Sequence, residues 1–258
     1  MKGDVERFYD EFSRAFVRDY VHGNARVDRQ LQFLEESLPR DARSVLVVGC
    51  GSGESARHVA RRIAQRARVL AVDISGQNLR LARALHSHPR VEYRKLDVVA
   101  EPLEGEFDAV VLPDVYEHIP RAARGALHAK LRGVLGEGGR VLLTVPTAAK
   151  LRALADAGEA LQIVDEEVTP GDLLRLADEV GATLTYLAFV SVWESNDYIH
   201  AMAERGAERV GPRDGSRLKR GRRRPLRALL RRSGLLPYLR ARRLRRRLGL
   251  LAQEPGQA

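Results

Sequence analysis

The stretch VLVVGCGSGES, residues 45–55, sets Gly49, Gly51 and Gly53 two apart at the end of a β-branched run. Glycine suits a chain that turns sharply while a ligand approaches its backbone, because no Cβ stands in the way. Glu54 occupies the place of the third glycine in the dinucleotide fingerprint G-x-G-x-x-G, which favours a ligand smaller than a diphosphate. Asp73 closes the run VLAVD, 20 residues after Gly53, where a carboxylate can accept the hydroxyl hydrogens of a ribose. Asp97 closes the next run, in LDV, and can reach the amino group of an adenine. Three strand ends thus converge on an adenosine. Proton transfer has its best candidate in His118 of LPDVYEHIP, since an imidazole titrates near neutral pH and can take a hydroxyl proton. Asp114, Tyr116 and Glu117 stand beside it to orient it or to hold a substrate, and His200 and His22 are the alternative bases. Cys50 has no neighbour in sequence that would stabilise a thiolate and reads as a small packing residue. No Cys/His spacing suggests a metal site.

These groups need a scaffold, and periodicity supplies one. SVLVVG (44–49) is apolar without alternation, the pattern of a strand covered on both faces. After it the chain alternates: helix 53–66, strand 68–73, helix 77–87, strands 90–95 and 107–112, helix 121–134, strand 139–145. Helix 170–180 and a closing strand pair, 183–193 and 197–204, complete it. Strict succession means βαβ units and a parallel sheet between helical layers. Ahead of the sheet, Phe8, Phe12, Phe16 and Tyr20 recur every four residues on a helix over 4–20, and a second helix covers 26–38.

VLVVGCGSG, VLAVD, LDV, FDAVVLPDVYEHIP and LGEGGRVLLTVP, in this order and at these separations, resemble the class I S-adenosylmethionine (SAM)-dependent methyltransferases of the small-molecule type over about residues 40–205. The resemblance implies an α/β, Rossmann-like three-layer αβα sandwich, with a seven-stranded, mostly parallel sheet whose last strand is antiparallel. It divides the chain into an N-terminal helical lid (1–40), a SAM-binding domain (41–205), a linker (206–224) and an Arg-rich amphipathic helical tail (225–258). SAM is then the cofactor and S-adenosylhomocysteine the product. The glycine loop would hold the methionine moiety, Asp73 the ribose and Asp97 the adenine, with Ile74, Val98, Pro113 and Tyr20 completing the cofactor site. Tyr9 and Arg26 of the lid are further contacts to the methionine end. The reaction expected is O-methylation of a small molecule or saccharide, including a lipid-linked or envelope glycan. N-methylation of a small amine, a non-catalytic SAM-binding scaffold and an RNA-associated enzyme are the alternatives. A nicotinamide oxidoreductase is disfavoured by Glu54 and by EHIP.

The net charge of +10 on 258 residues is unevenly placed. Residues 213–247 hold 16 of the 44 basic residues and one acid, Asp214, whereas 1–212 carry 28 basic against 32 acidic residues. Leu226, Leu229 and Leu230 share one helical face, as do Leu244, Leu248 and Leu251, opposite arginines. Such a stripe suits an anionic membrane surface, contacted through 217–251. The second reading docks the leucines on the catalytic domain or another subunit. Nucleic acid is less favoured, because the tail has one aromatic, Tyr238, the body is acidic, and LPDVY lacks the paired prolines of base methyltransferases. One cysteine and no run of 18 apolar residues point to the cytoplasm, with any membrane contact peripheral.

Overall fold

A computed structural model describes residues 16–157, 165–207 and 237–244. Strand β1 (Ser44–Val48) forms its centre, with Val45, Leu46 and Val47 wholly buried, as an unalternating apolar run requires. It pairs in parallel with β2 (Arg68–Asp73) on one side and β4 (Phe107–Pro113) on the other, with Val45 opposite both Val69 and Ala109. Beyond β2 lies β3 (Val91–Lys95), and beyond β4 lies β5 (Leu135–Pro146), both parallel. The hairpin of β6 (Thr183–Val190) and β7 (Tyr198–Glu204) closes the sheet, β7 running antiparallel to β5 and β6 between them. The order β3-β2-β1-β4-β5-β7-β6 is that of a seven-stranded Rossmann-like sheet, as expected. The chain moves outward from β1 to β3 and then returns to β4. A crevice therefore opens at the carboxyl ends of β1 and β4, where the strand order reverses.

Two helical layers make the sandwich. On one face lie α1 (Ala25–Ser37), α2 (Glu54–His58) and α3 (Gly76–His86), whose Leu31, Phe33, Leu34, Ala56 and Leu79 join Val45 and Val47 in one core. On the other lie α4 (Arg121–Val134) and α6 (Pro170–Val180), whose Leu127, Leu131, Leu173 and Leu176 join Leu46 and Val48. Helix α6 starts where its sequence says it should: the Thr169 side chain accepts from the Asp172 amide, Asp172 returns the bond, and Pro170 opens the first turn.

The strand expected over 139–145 begins at Leu135, and the one expected over 183–193 ends at Val190. Two helical elements also depart from expectation. The helix expected over 53–66 widens after α2 into a π-helical turn, Val59–Ile63, in which the Ala64 amide donates to the Val59 carbonyl at 3.1 Å. The wider turn brings Val59, Ala60 and Ile63 inward together. Helix α5 (Ala148–Asp156) was not foreseen; it is short, and Leu151 is its sole buried residue.

Residues 16–22 are helical, while the rest of the helix expected over 4–20, with Tyr9, lies outside the described residues. So do Leu226, Leu229, Leu230, Leu248 and Leu251 and the linker beyond 207. Residues 237–244 form a helix with Leu244 buried and Tyr238 and Leu239 exposed. The Arg240 guanidinium donates to the Tyr20 carbonyl at 3.2 Å, near the C-terminal end of the 16–22 helix, where carbonyls lack intrahelical donors. This stretch is docked on the N-terminal helix. Among the described residues no helix is long and apolar enough to cross a membrane.

Candidate active site

The loop after β1 holds Gly49, Gly51 and Gly53 at φ of 64°, 51° and 83°, the left-handed region that glycine enters without cost. A Cβ on Gly51 would stand 2.9 Å from the Phe16 ring, and one on Gly53 would stand 2.5 Å from the Tyr93 hydroxyl. The loop is pinned from β2. The Cys50 amide donates to the Val72 carbonyl at 2.9 Å, and the Gly51 amide to Asp73 Oδ2 at 2.8 Å. Asp73 is buried, and its Oδ1 accepts from the Ser75 amide at 2.9 Å and from Asn78 at 3.3 Å. Burial, with the Asp73 charge second, pushes the Cys50 thiol up, which makes it a packing residue and no nucleophile.

At the end of β3, Asp97 Oδ1 accepts from the Val99 and Ala100 amides, both at 3.1 Å, so this carboxylate also caps the turn that follows. Val98 is buried beneath it, and Ile74 and Pro113 are half-buried at the ends of β2 and β4. The 16–22 helix crosses above this edge, with Phe16 against Gly51 and Tyr20 edge-on to His86 at 5.5 Å. His86 Nδ1 in turn bonds the Ser52 carbonyl at 2.6 Å.

The second half of the site grows from β4. Asp114, just past the strand, sits at φ 51°, rare for a residue with a Cβ and typical of functional strain. Its carboxylate accepts from Thr144 Oγ1 at 2.9 Å and pairs with the Arg26 guanidinium. Gln30 of α1, buried, donates to Thr144 Oγ1 at 2.8 Å and accepts from Ser55 Oγ at 3.0 Å. A directed chain of hydrogen bonds thus runs from the first turn of α2 through α1 to the end of β4.

The turn Tyr116–His118 follows. His118 Nδ1 lies 2.9 Å from Asp165 Oδ1, and His118 Nε2 lies 3.8 Å from Glu117 Oε1. Burial pushes the Glu117 carboxyl up, with His118 pulling the other way. Tyr198, at the start of β7, is raised to about 12 by burial, and the charges of Arg26, Glu117, Asp197 and Asp165 act on its hydroxyl. His118, Glu117, Asp165, Asp114, Arg26 and Tyr198 are therefore one cluster.

Three candidates fall outside it. Tyr116 turns to the other face of the sheet, where its hydroxyl meets His128 Nε2 at 2.9 Å and Arg124 lies 4.6 Å from the ring centre. A 3-10 turn sends neighbouring side chains to different faces, so Tyr116 packs in the core, away from His118. His200 is buried on β7 beneath α1, its ring 4.9 Å from that of Phe33, and burial lowers it to about 4. His22 is exposed at the end of the 16–22 helix.

A methyltransferase domain model matches residues 45–139. The chain is 34% identical over 157 residues to a ubiquinone biosynthesis O-methyltransferase of Alkalilimnicola ehrlichii, covering 56% of this chain and 62% of that protein. It is 30% identical over 181 residues to the N-demethylindolmycin N-methyltransferase of Streptomyces griseus, covering 66% of this chain and 71% of that one. This chain belongs to the class I SAM-dependent methyltransferases. Its fold agrees with a TehB-like SAM-dependent methyltransferase from Corynebacterium glutamicum at a TM-score of 0.58 and 17% identity, over 76% of this chain and 97% of that one.

SAM is the family's cofactor, and the residues present fit it. A loop of left-handed glycines bares its backbone beside a buried carboxylate, with a second acid on the adjoining strand end. Asp165, Tyr198 and Gln30 were not found in the sequence. Asp165 precedes the Thr169 cap in a run of acids, DEE, with nothing to tell it from a solvated turn, and Gln30 sits within a helix read only for its apolar face.

Proposed function

We propose that this methyltransferase transfers the SAM methyl group to a hydroxyl oxygen of a small molecule or saccharide, with His118 as the base. The observation that carries the reading is the 2.9 Å pair between His118 Nδ1 and Asp165 Oδ1. The Asp165 carboxylate accepts a hydrogen bond from the Nδ1–H, which holds the tautomer whose lone pair is on Nε2, the nitrogen that takes the hydroxyl proton. A base is of use when the nucleophile carries a proton that holds it inactive, as a hydroxyl does and a neutral amine does not. When bound, SAM supplies an electrophilic methyl group on a positively charged sulfur. Gly49, Gly51 and Gly53 would hold its methionine end, Asp73 its ribose and Asp97 its adenine. The 16–22 helix and α1 cover the crevice and keep water from the acceptor.

Relatives with both O- and N-methyltransferase names match this chain, which spans 62% and 40% of the first two ubiquinone O-methyltransferases, so the dyad is what favours oxygen. We propose as well peripheral attachment to an anionic membrane through 217–251, supported by the 16 basic residues of 213–247; within the docked 237–244 helix, where Leu244 is buried, exposed arginines such as Arg242 and Arg243 would make the contact.

The test is incubation of the protein with trideuteromethyl-SAM and cell extract, followed by mass spectrometry. A product heavier by one labelled methyl on oxygen is expected. Asp165→Asn should lower kcat about 10²-fold or more and shift the acid limb of the pH profile. A product labelled on nitrogen, made equally well by His118→Asn, would overturn the reading.

A further inference from the structure

Glu117 has a feature that the base chemistry does not use. Its side chain is 3% exposed, yet its Oε2 has no hydrogen-bond partner among the described residues. A buried carboxyl oxygen left so costs free energy unless a ligand completes it. The residue is also held in place, because its own carbonyl accepts from the Glu166 amide at 2.9 Å. Asp165, the neighbour of Glu166, bonds His118, so one short segment fixes both members of the Glu117–His118 pair.

The spacing limits what can complete it. Glu117 Oε1, on the same carboxyl as the orphaned Oε2, lies 3.8 Å from His118 Nε2, and the two oxygens of a vicinal diol can face this carboxyl and imidazole together. One hydroxyl then meets Nε2 while its neighbour meets the Glu117 carboxyl. Burial pushes that carboxyl up while His118 pulls the other way, and in either form its oxygens can hydrogen-bond the second hydroxyl.

We infer that Glu117 determines specificity for the acceptor, and that the acceptor is a vicinal diol whose second oxygen is held by Glu117 while His118 serves the first. The inference rests on the O-methylation reading. At the reacting oxygen a C–O bond forms as the methyl–sulfur bond breaks, and the hydroxyl proton passes to His118 Nε2. Glu117 neither gains nor loses a proton in the step. Aromatic and sugar diols share the chemistry that Glu117 recognises.

The experiment compares four probes: catechol against phenol, and cis-1,2-cyclohexanediol against cyclohexanol. Binding is read on protein saturated with S-adenosylhomocysteine through the fluorescence of Trp193, the single tryptophan, whose ring lies 5.9 Å from that of Tyr198. Methyl transfer is read separately. In one family of probes the diol should bind and react about 10- to 100-fold better than its mono-hydroxyl counterpart, the effect of one unmatched buried partner. Glu117→Leu should erase that preference, largely through KM, and Glu117→Gln should restore most of it. Equal use of diol and mono-hydroxyl probes by the unaltered protein, or no binding of either diol, overturns the inference. Diol binding that depends on Glu117 with no methyl product from any probe leaves it standing and overturns the O-methylation reading instead.

Discussion

Replacing Gly51 by alanine introduces two separable penalties. At φ 51° an alanine pays about 1–2 kcal/mol for the left-handed backbone. Its Cβ would also stand 2.9 Å from Phe16 Cζ and 3.1 Å from Cε1, so the ring must leave the loop. Phe16 is half-buried, and losing part of its packing costs about 1 kcal/mol more. Gly51→Ala should therefore destabilise the protein by roughly 2–3 kcal/mol, while the same change in a Phe16→Ala background should cost only the backbone part, roughly 1–2 kcal/mol. The coupling of about 1 kcal/mol is measured by urea unfolding of the four proteins, followed by circular dichroism. Calorimetry with S-adenosylhomocysteine on the same four reports what the loop contributes to the cofactor. Effects that add to within about 0.3 kcal/mol would show that Phe16 does not rest on the glycine loop, and the placement of the 16–22 helix over the cofactor edge would fall with it.

Gln30→Leu keeps the shape of α1 but leaves Ser55 and Thr144 without their shared partner; a loss of about 2 kcal/mol, or ~4–8 °C in Tm, is expected, and an unchanged Tm would deny the bridge. His200 stays neutral in the fold, lowered from 6.5 to about 4, so the unfolded chain takes up its proton first as pH falls. Its contribution is complete above pH 6.5 and is lost as pH drops toward about 4, by up to roughly 3 kcal/mol; His200→Leu should flatten the unfolding free energy across that window. Anionic liposomes should sediment the full chain and leave a version ending at Gly211 in solution; equal recovery of both would dispose of the membrane proposal.

What was legible in the sequence follows from how each signal is written. The central strands were read closely because a buried parallel strand is a continuous apolar run, as in SVLVV and FDAVVLP, and helix α6 opens on the Thr169–Pro170 cap. Helix α5 escaped because it buries one leucine. The glycine loop and Asp73 were legible because backbone geometry and a strand end fix them locally. The acceptor side was not, since Asp165 comes from the chain before α6, Tyr198 from β7 and Gln30 from α1, and nothing in their spacing predicts that they meet. Tyr116 was misplaced for a related reason: adjacency to His118 in the chain says nothing about which face of a 3-10 turn a side chain takes.

The two halves of the site are joined by side chains, and that gives α1 a role beyond covering the crevice. Ser55 belongs to the turn that follows the glycine loop, Thr144 to the end of β5, and Asp114 to the strained position from which the His118 turn departs. Gln30 and Arg26, four residues apart on α1, hold the first two and the last. A left-handed aspartate costs of order 1–3 kcal/mol and persists only where its surroundings hold it, and here the bonds from Thr144 and Arg26 do so. Withdrawal of α1 would release Asp114 and orphan Ser55 and Thr144 together. The glycine loop and the acceptor cluster are therefore stable in their working geometry only while the same helix is seated on both.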